Sequence, residues 1–363
     1  MGENNATIEL KQISKQFKDN KIINELNLSI QAGEFLVLLG PSGCGKSTTL
    51  RMIAGLEEPT TGDVLINGKK LKQIDEDGHT VAMVFQDYAL YPNMTVYQNL
   101  EYALKVHKIP VQSRRSRIEA VLKILNLTNY KNRLPSQLSG GQKQRVAVGR
   151  GMVKKSKIFL LDEPLSNIDI QLREKARDEI QNMHLENRQT IVYVTHDQLE
   201  AMALGDRIAV MDQGIIQMID TPENIYNKPT NLFVAKFIGT PQINIIEIEL
   251  NNGQVLFNNK PIMKPSTYKL DSKKYYLGIR PENFSCSKTE RNEFSFEVMV
   301  DNIIDYGRFV QLSLITKDNE YLKATVNKFD FQKGETINVT LDQSTSIIFD
   351  QTTGKNLYWG NYE

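Results

Sequence analysis

A glycine-rich segment at residues 40–48 constrains this 363-residue chain more than any other feature. It reads Gly40-Pro-Ser-Gly-Cys-Gly-Lys-Ser-Thr48 and matches the pattern G-x-x-x-x-G-K-[ST]. An apolar run from Phe35 to Leu39 precedes this segment, and a helical pattern from Lys46 to Leu56 follows it. The sequence therefore predicts a buried strand, a tight loop and a helix, which is the context in which this pattern binds phosphate.

The loop offers the groups that a nucleoside triphosphate requires. Glycines permit a turn whose backbone N–H groups face phosphate oxygens, and the following helix adds the positive end of its dipole. We expect Lys46 to reach the β- and γ-phosphates and Ser47 to bind Mg²⁺. The predicted nucleotide-binding residues of the loop are Gly40, Pro41, Ser42, Gly43, Cys44, Gly45, Lys46, Ser47 and Thr48.

A second buried strand, Ile158 to Leu161, ends in two neighbouring carboxylates, Asp162 and Glu163. Asp162 is predicted to complete the Mg²⁺ site, and Glu163 to act as the general base that activates the attacking water. Acidic residues at the end of a strand are a weak signal alone. Together with the phosphate loop they are a strong signal for a nucleotide site, although every class of phosphate-loop protein stays open.

The composition narrows the class of protein. There are 44 Lys and Arg residues and 43 Asp and Glu residues, so the chain lacks the basic excess of a general nucleic-acid binder. Two cysteines cannot build a disulfide scaffold and fit a reducing cytosol. No apolar run approaches the ~18 residues of a membrane span, and the N-terminus lacks a signal-peptide pattern. We therefore expect neither a secreted nor a membrane-spanning protein.

The texture of the sequence changes near Gly239. Before it, strands alternate with helical segments, which predicts an α/β domain with a mostly parallel sheet over residues 1–238. After it, short β-branched and aromatic runs are separated by turns, which predicts an all-β barrel or sandwich over residues 239–363. The predicted strands of this region are Asn244–Leu250, Lys274–Ile279, Phe294–Ile304, Phe309–Ile315, Thr336–Leu341 and Ser346–Phe349.

A third motif distinguishes among the many classes of phosphate-loop protein. Leu138-Ser-Gly-Gly-Gln142 lies shortly before Asp162 and resembles the signature motif of ATP-binding-cassette (ABC) ATPases. Its residues open a predicted helix and so form a second phosphate-binding helix N-terminus. The resemblance implies that the signature contacts the ATP held by a partner subunit. The nucleotide-contacting residues of this motif are then Ser139, Gly140, Gly141 and Gln142.

The same resemblance implies roles for four further residues. Gln86 corresponds to the glutamine that touches Mg²⁺ and lines the groove facing the membrane partner. Asp169, in the stretch that starts at Ser166, belongs to a loop that crosses the dimer interface, and His196 is the switch histidine that contacts the γ-phosphate. Phe17 corresponds to the aromatic residue that stacks on adenine. The three remaining histidines have no motif around them and are expected at the surface: His79, His107 and His184.

Four stretches narrow the resemblance to the maltose and multiple-sugar importer ATPases: Tyr88–Asn93, Thr195–Met202, Phe237–Pro241 and Gly278–Glu282. This resemblance implies a C-terminal regulatory domain of the oligonucleotide-barrel (OB) type. It also implies a head-to-tail homodimer on the cytoplasmic face of the membrane that hydrolyses ATP with Mg²⁺. The implied partners are two membrane permease subunits and, indirectly, an extracellular solute-binding protein, with no nucleic acid.

Other functions stay open at this point. Asn167 and the stretch Pro241–Asn244 favour sugar importers, but importers of polyamine, iron or glycerol phosphate remain alternatives. A soluble cassette ATPase of DNA repair or translation is a further alternative. It is disfavoured because the short separation of Gln86 from Ser139 leaves no room for a long coiled coil, and because the chain has one cassette. Gly151 stands where the family has alanine, and we expect it to cost its helix up to ~1 kcal/mol.

Overall fold

Two units make up the chain in the computed structural model, Met1–Pro222 and Glu223–Glu363. The structure describes residues 6–71, 81–85, 88–154, 156–166, 168, 170–251, 254–263, 270–271, 273–289, 292–327 and 330–359. The elements of the first unit, in chain order, are β1 (Ile8–Phe17), β2 (Asn20–Ile30), β3 (Phe35–Leu39), α1 (Lys46–Ile53), β4 (Thr61–Ile66), β5 (Lys69–Lys70), β6 (Val81–Val84), α2 (Val96–Val106), α3 (Val111–Ile124), α4 (Gly140–Lys154), β7 (Ile158–Asp162), α5 (Ile170–Asn187), β8 (Thr190–Thr195), α6 (Gln198–Leu204), β9 (Arg207–Asp212) and β10 (Ile215–Asp220).

The central sheet of the first unit has the strand order β10-β9-β3-β8-β7-β6. All its described pairings are parallel except that of β9 with β10. Every residue of β3, β7 and β8 is buried, as expected for strands covered on both faces. The mostly parallel sheet predicted from the sequence is confirmed. A separate antiparallel sheet has the order β2-β1-β4-β5.

A shared apolar core holds α1 and both sheets of this unit together. It includes Ile8 and Ile30 from the antiparallel sheet, Leu50 from α1, and Leu38 and Leu160 from the central sheet. At ~25 cal/mol per Å² of buried apolar area, such side chains contribute most of the favourable free energy of folding. The core therefore fixes the loop after β3 relative to the ends of β7 and β8.

The elements of the second unit are α7 (Pro222–Asn227), α8 (Leu232–Phe237), β11 (Asn244–Asn251), β12 (Gln254–Phe257), β13 (Lys260–Pro261), β14 (Lys274–Ile279), β15 (Phe284–Ser287), β16 (Phe296–Asp305), β17 (Val310–Thr316), β18 (Tyr321–Val326), β19 (Thr336–Leu341), β20 (Ile347–Asp350) and β21 (Asn356–Trp359). Its strands form two antiparallel sheets, with orders β13-β12-β11-β14-β20-β21 and β15-β19-β16-β17-β18. Both sheets contribute to one core, with Leu277 from the first and Leu312 from the second. The strand-rich OB-type region predicted from the sequence is confirmed.

Nearly all of α7 and the whole of α8 belong to the second unit. Ala235 of α8 packs in a small core with Ile347 and Phe349 of β20. The Arg280 guanidinium donates to the carbonyls of Tyr226, at 2.8 Å, and Ala235, at 3.3 Å. The change of sequence texture predicted a boundary after residue 238, whereas the compact units divide at Pro222. The two boundaries differ because residues 222–237 form helices, as in the first unit, but α8 packs against β20 of the second unit.

Candidate ATP-hydrolysis site

Three strand ends of the central sheet meet at one edge. Leu39 pairs with Thr195 across β3 and β8, and Asp162 pairs with Val194 across β7 and β8. Because these strands are parallel, their carboxyl ends lie side by side. The glycine loop after β3, the acidic pair at the end of β7 and His196 after β8 are therefore brought together.

The glycine loop fits closely against neighbouring backbone. A Cβ added at Gly40 would lie 2.2 Å from the Met211 carbonyl oxygen. Gly45 has a φ of 104°, and a Cβ there would lie 2.4 Å from Cδ1 of Ile23. Both positions therefore require glycine. Ser42 and Gly43 are exposed, so the outer part of the loop is accessible to a ligand.

Lys46 follows the last glycine and opens α1. Its Nζ donates to the carbonyls of Gly40 and Pro41, each at 2.8 Å, and the residue is only 5% exposed. The neighbouring Cys44 is buried, and burial raises the pKa of its thiol, although Lys46 opposes the shift. The ammonium group thus lies within the loop at the place predicted for phosphate, and Cys44 is held as a neutral thiol.

The two predicted Mg²⁺ ligands of this loop and strand are in direct contact. Ser47 Oγ donates to Asp162 Oδ1 at 2.7 Å. Asp162 is 1% exposed, and its burial raises the pKa of the carboxyl, while the hydrogen bond from Ser47 and the charge of Arg51 oppose the shift. A hydroxyl beside a carboxylate is the oxygen donor set that Mg²⁺ accepts when phosphates and waters complete its shell. Within the described residues there is no cluster of three or more His, Cys, Asp or Glu that could hold a metal without a substrate.

Glu163 is held by its backbone at the end of β7. Its N–H donates to the Val194 carbonyl at 3.0 Å, and its φ is 46°, in the left-handed region. Its carboxylate Oε1 lies 3.2 Å from Nδ1 of His196, which is more exposed than Glu163. The predicted base and the predicted switch histidine are therefore neighbours in the same subunit.

The signature motif forms the first turn of α4. Ser139 Oγ accepts the N–H of Gln142 at 3.3 Å, and Gln142 Oε1 accepts the N–H of Ser139 at 2.9 Å. This reciprocal pair caps the helix N-terminus. Ser139 and Gly140 are exposed, whereas Gly141 is partly covered. The N–H groups at the start of this helix can therefore meet an anion that approaches from outside.

The remaining predicted site residues have mixed outcomes. Phe17 is 45% exposed, and the Lys15 ammonium lies 4.6 Å from the centre of its ring, so one aromatic side chain is available to a base. Thr48 follows Ser47 in α1 and is half-buried. Gln86 and Asp169 lie outside the described residues.

The surface position expected for the other histidines is wrong for His184. This residue is 4% exposed, and its Nδ1 lies 3.1 Å from the Gln189 carbonyl. Its ring meets Phe35 edge-on, with the ring centres 5.4 Å apart. The burial of His184 could not be predicted from the sequence, because the residues that cover it are brought there only by the tertiary packing. His107 is half-buried, and His79 lies outside the described residues.

Two residues beside the site were not found by the sequence analysis. Gln144 of α4 is 1% exposed, and its Nε2 donates to the carbonyl oxygen of Glu163 at 3.1 Å. Arg173 of α5 lies 3.6 Å from Asp197 and also donates to the Ser166 carbonyl at 3.4 Å. Gln144 lies two residues after the signature stretch, but only the fold shows which carbonyl it reaches.

The family of ABC transporter domains matches residues 23–166. The trehalose/maltose import ATP-binding protein MalK of Thermococcus litoralis is 40% identical over 372 residues, which cover 97% of this chain and 100% of the relative. The chain belongs to the ABC transporter ATP-binding proteins. The match extends over both units, so the predicted resemblance to the sugar and solute importer subunits is confirmed.

Other relatives of this ABC protein differ in the solute that their names give. The osmoprotective compounds uptake ATP-binding protein GgtA of Synechocystis is 46% identical over 283 residues. The aligned region covers 77% of this chain and 78% of the relative. The sulfoquinovosyl glycerol transport protein SmoE of Agrobacterium fabrum is 38% identical, over 97% of this chain and 100% of its own.

A solved ATP-binding cassette, dimeric in a post-hydrolysis state with ADP and Pi, aligns with a TM-score of 0.55 and 33% identity. It covers 59% of this chain and 98% of the solved one. The ABC ATPase fold and the capacity to bind ATP are therefore supported for this chain, which is an ATPase of the ABC transport type. Among its described helices none has the length and apolar character needed to cross a membrane.

Proposed function

We propose that this ABC ATPase works as a head-to-tail homodimer on the cytoplasmic face of the membrane and drives carbohydrate import through permease subunits. The observation that supports the proposal most is the division of the phosphate-binding groups. Lys46, Asp162 and Glu163 meet at one sheet edge, whereas the signature turn at Ser139 begins a different helix.

The chemistry follows from the groups at the sheet edge. Lys46 and the loop N–H groups bind the phosphates, and the N-terminus of α1 adds a positive dipole. Ser47 and Asp162 would hold Mg²⁺, which when bound would neutralise charge on the phosphates, and the family resemblance adds Gln86 as a further ligand. Glu163 accepts a proton from water, and His196, 3.2 Å away, orients that carboxylate and faces the γ-phosphate.

The homodimer follows from the signature helix. One nucleotide cannot easily use two helix N-termini, that of α1 and that of α4, from the same subunit. A head-to-tail arrangement assigns the signature residues of one subunit to the ATP on the loop of the other. Asp169 and its neighbours would then form the loop that crosses between the subunits.

A cleft beside the site fits a permease segment. Its volume is about 400 Å³, and its lining includes Tyr88, Tyr91, Tyr102 and Val106. Tyr102 and Val106 are exposed, the rings of Tyr91 and Tyr102 are centred 4.7 Å apart, and the Arg150 guanidinium lies 4.7 Å from the centre of the Tyr91 ring. An apolar cleft whose lining includes Phe85 and Tyr88 suits a short helix of a membrane subunit.

Carbohydrate is the proposed solute class because two relatives are named for trehalose/maltose and sulfoquinovosyl glycerol. The relative named for osmoprotective compounds keeps small organic solutes of another kind as the second candidate. An extracellular solute-binding protein would select the solute, since the proposed contacts of this chain are with ATP and the permease.

Mixed dimers test the shared sites directly. Ser139→Arg subunits mixed with Lys46→Ala subunits form one intact composite site, which pairs Lys46 of one chain with Ser139 of the other. We expect the mixture to hydrolyse ATP faster than either parent. The matched control is a covalently linked dimer that carries both substitutions in one half. If the sites are shared, each composite site of this dimer has one defect, and activity should be absent. If each subunit formed its own site, the unsubstituted half would stay active.

The solute class is tested with the membrane partners. Photo-cross-linking from position 91 should capture a permease subunit, whereas position 321, on the exposed Tyr321 of the second unit, should not. ATPase activity of the captured complex should rise with a sugar and its binding protein. Stimulation by a polyamine but not by sugars would favour the alternative importers.

A further inference from the structure

The carbonyl oxygen of Glu163 is a junction between two segments near the site. It accepts Nε2 of Gln144 from α4 at 3.1 Å and Oγ of Ser166 at 3.1 Å. Gln144 is 1% exposed and lies in the second turn of the helix that the signature opens. Because the Gln144 side chain is buried, water competes little for its donor, and the direction of this hydrogen bond is well defined.

The backbone of Glu163 needs such support. Its φ of 46° lies in the left-handed region, which is unfavourable for a non-glycine residue and persists only where the surroundings hold it. The Val194 carbonyl holds its N–H at 3.0 Å, and Gln144 holds its carbonyl. Because the φ and ψ angles set where the side chain points, the Gln144 bond bears on the position of the carboxylate.

We propose that Gln144 is a positioning residue that connects the two ATP sites of the dimer. It lies on the helix whose N-terminus meets the ATP of the partner, and it holds the backbone of the glutamate that acts on the ATP of its own subunit. Engagement of the signature therefore adjusts Glu163 through one hydrogen bond. This inference rests on the proposed shared sites and on the proposed role of Glu163 as base.

A positioning role and a merely structural role differ in what they change. Loss of a buried hydrogen bond lowers the thermal stability of the fold in either case. Misplacement of a reacting group lowers kcat while the loop and Lys46 still bind ATP, and a displacement of ~1 Å can cost ~10²-fold. Only if Gln144 has a positioning role does its substitution also reduce the cooperativity between the two ATP sites.

The test uses Gln144→Met in the full-length chain, with Gln189→Met as the matched control. Gln189 is 3% exposed and its Nε2 also donates to a backbone carbonyl, that of Ser156. We expect Gln144→Met to lower kcat about 10-fold, to leave KM for ATP within about twofold, and to bring the Hill coefficient for ATP close to 1. The control should show a similar loss of thermal stability with kcat and the Hill coefficient unchanged.

Gln144→Glu is the second variant in case the methionine disturbs folding. It keeps the length of the side chain, but an ionised carboxylate cannot donate to the Glu163 carbonyl. Its kcat relative to wild type should therefore recover as the pH is lowered and the new carboxyl is protonated, a response that packing alone does not produce.

The outcomes separate this inference from the proposed function. If Gln144→Met matches Gln189→Met in kcat and Hill coefficient while Glu163→Gln is inactive, the inference is overturned and the assignment of the base stands. If Glu163→Gln hydrolyses ATP at the wild-type rate, the assignment of the base fails instead. A rise in KM that accounts for the whole loss of activity at Gln144 would also overturn the inference.

Discussion

Oε1 of Glu163 lies 3.2 Å from Nδ1 of His196, across the gap between the ends of β7 and β8. The two residues are far apart in sequence, and they meet because Asp162 and Val194 are paired in parallel strands. The contact places the carboxylate that we propose as the base next to an imidazole that can orient it.

Glu163→Gln should stop turnover and retain the ATP-bound dimer. Glutamine keeps the size of the side chain but cannot take a proton, so kcat should fall by ~10²–10⁴. Lys46, the loop N–H groups and the signature remain, so ATP still binds. Gel filtration with ATP and Mg²⁺, together with phosphate release, measures both effects. Lys46→Ala is the comparison, and it should weaken ATP binding and leave the dimer open.

Asp162→Asn should raise the Mg²⁺ concentration needed for hydrolysis. The substitution keeps the shape that meets Ser47 Oγ at 2.7 Å but removes the charge that attracts the cation. We expect a shift of about tenfold or more in the Mg²⁺ titration of ATPase activity. Asp178→Asn, at a side chain that is 64% exposed, is the control and should leave the titration unchanged. Equal titrations for both variants would contradict the assignment of the metal site.

Gly151→Ala should destabilise the chain, although alanine is the better helix former. A Cβ at Gly151 would lie 2.2 Å from Cε2 of the buried Phe159 ring. Overpacking of this kind costs about 1–3 kcal/mol, which exceeds the ~1 kcal/mol gained in helix propensity. Urea denaturation measures the net effect. In the Phe159→Leu background the clash is relieved, and there Gly151→Ala should become neutral or stabilising.

Glu200 should make the stability of the first unit depend on pH. The residue is 5% exposed and accepts the hydroxyls of Tyr193, at 2.9 Å, and Thr195, at 2.8 Å. Burial raises the pKa of its carboxyl above the ordinary value, although the two hydrogen bonds oppose the shift. The folded state therefore holds a proton more tightly than the unfolded state. This contribution is complete below the unfolded pKa of ~4.3 and is lost as the pH rises through the folded pKa.

Glu200→Gln removes that dependence, because the amide stays neutral and its oxygen can still accept both hydroxyls. The free energy of unfolding of the variant, minus that of wild type, should become more positive from pH 4 to pH 8. Glu174→Gln, at an exposed residue, is the control. A difference that does not change with pH would show that burial of Glu200 is not linked to a proton.

The second unit should be dispensable for hydrolysis, and the structure specifies where to end the chain. We expect a chain that ends at Pro222 to keep ATPase activity and to dimerise more weakly. A chain that ends at Phe237 retains α8 without its partners, so the buried Val234 and Ala235 would become exposed and the product should aggregate. Activity and light scattering of the two proteins distinguish these results. A folded, soluble 1–222 protein without activity would contradict the division of labour.

The sequence by itself determined the glycine loop, the acidic end of β7, the signature turn and the change from an α/β to an all-β region. Each of these depends on neighbours within about ten residues: glycines permit the turn, the apolar run forms a doubly buried strand, and Ser139 caps the helix three residues before Gln142. Such local features can be predicted from the order of the residues alone.

Tertiary structure alone decided which distant groups meet. It paired Glu163 with His196 and Gln144, covered His184, and required a glycine opposite Phe159 where helix propensity favours alanine. It also assigned residues 223–237 to the second unit, because the buried side of α8 packs on β20. These outcomes follow from the register of strands and the close packing of cores, and both depend on side chains that are remote in sequence.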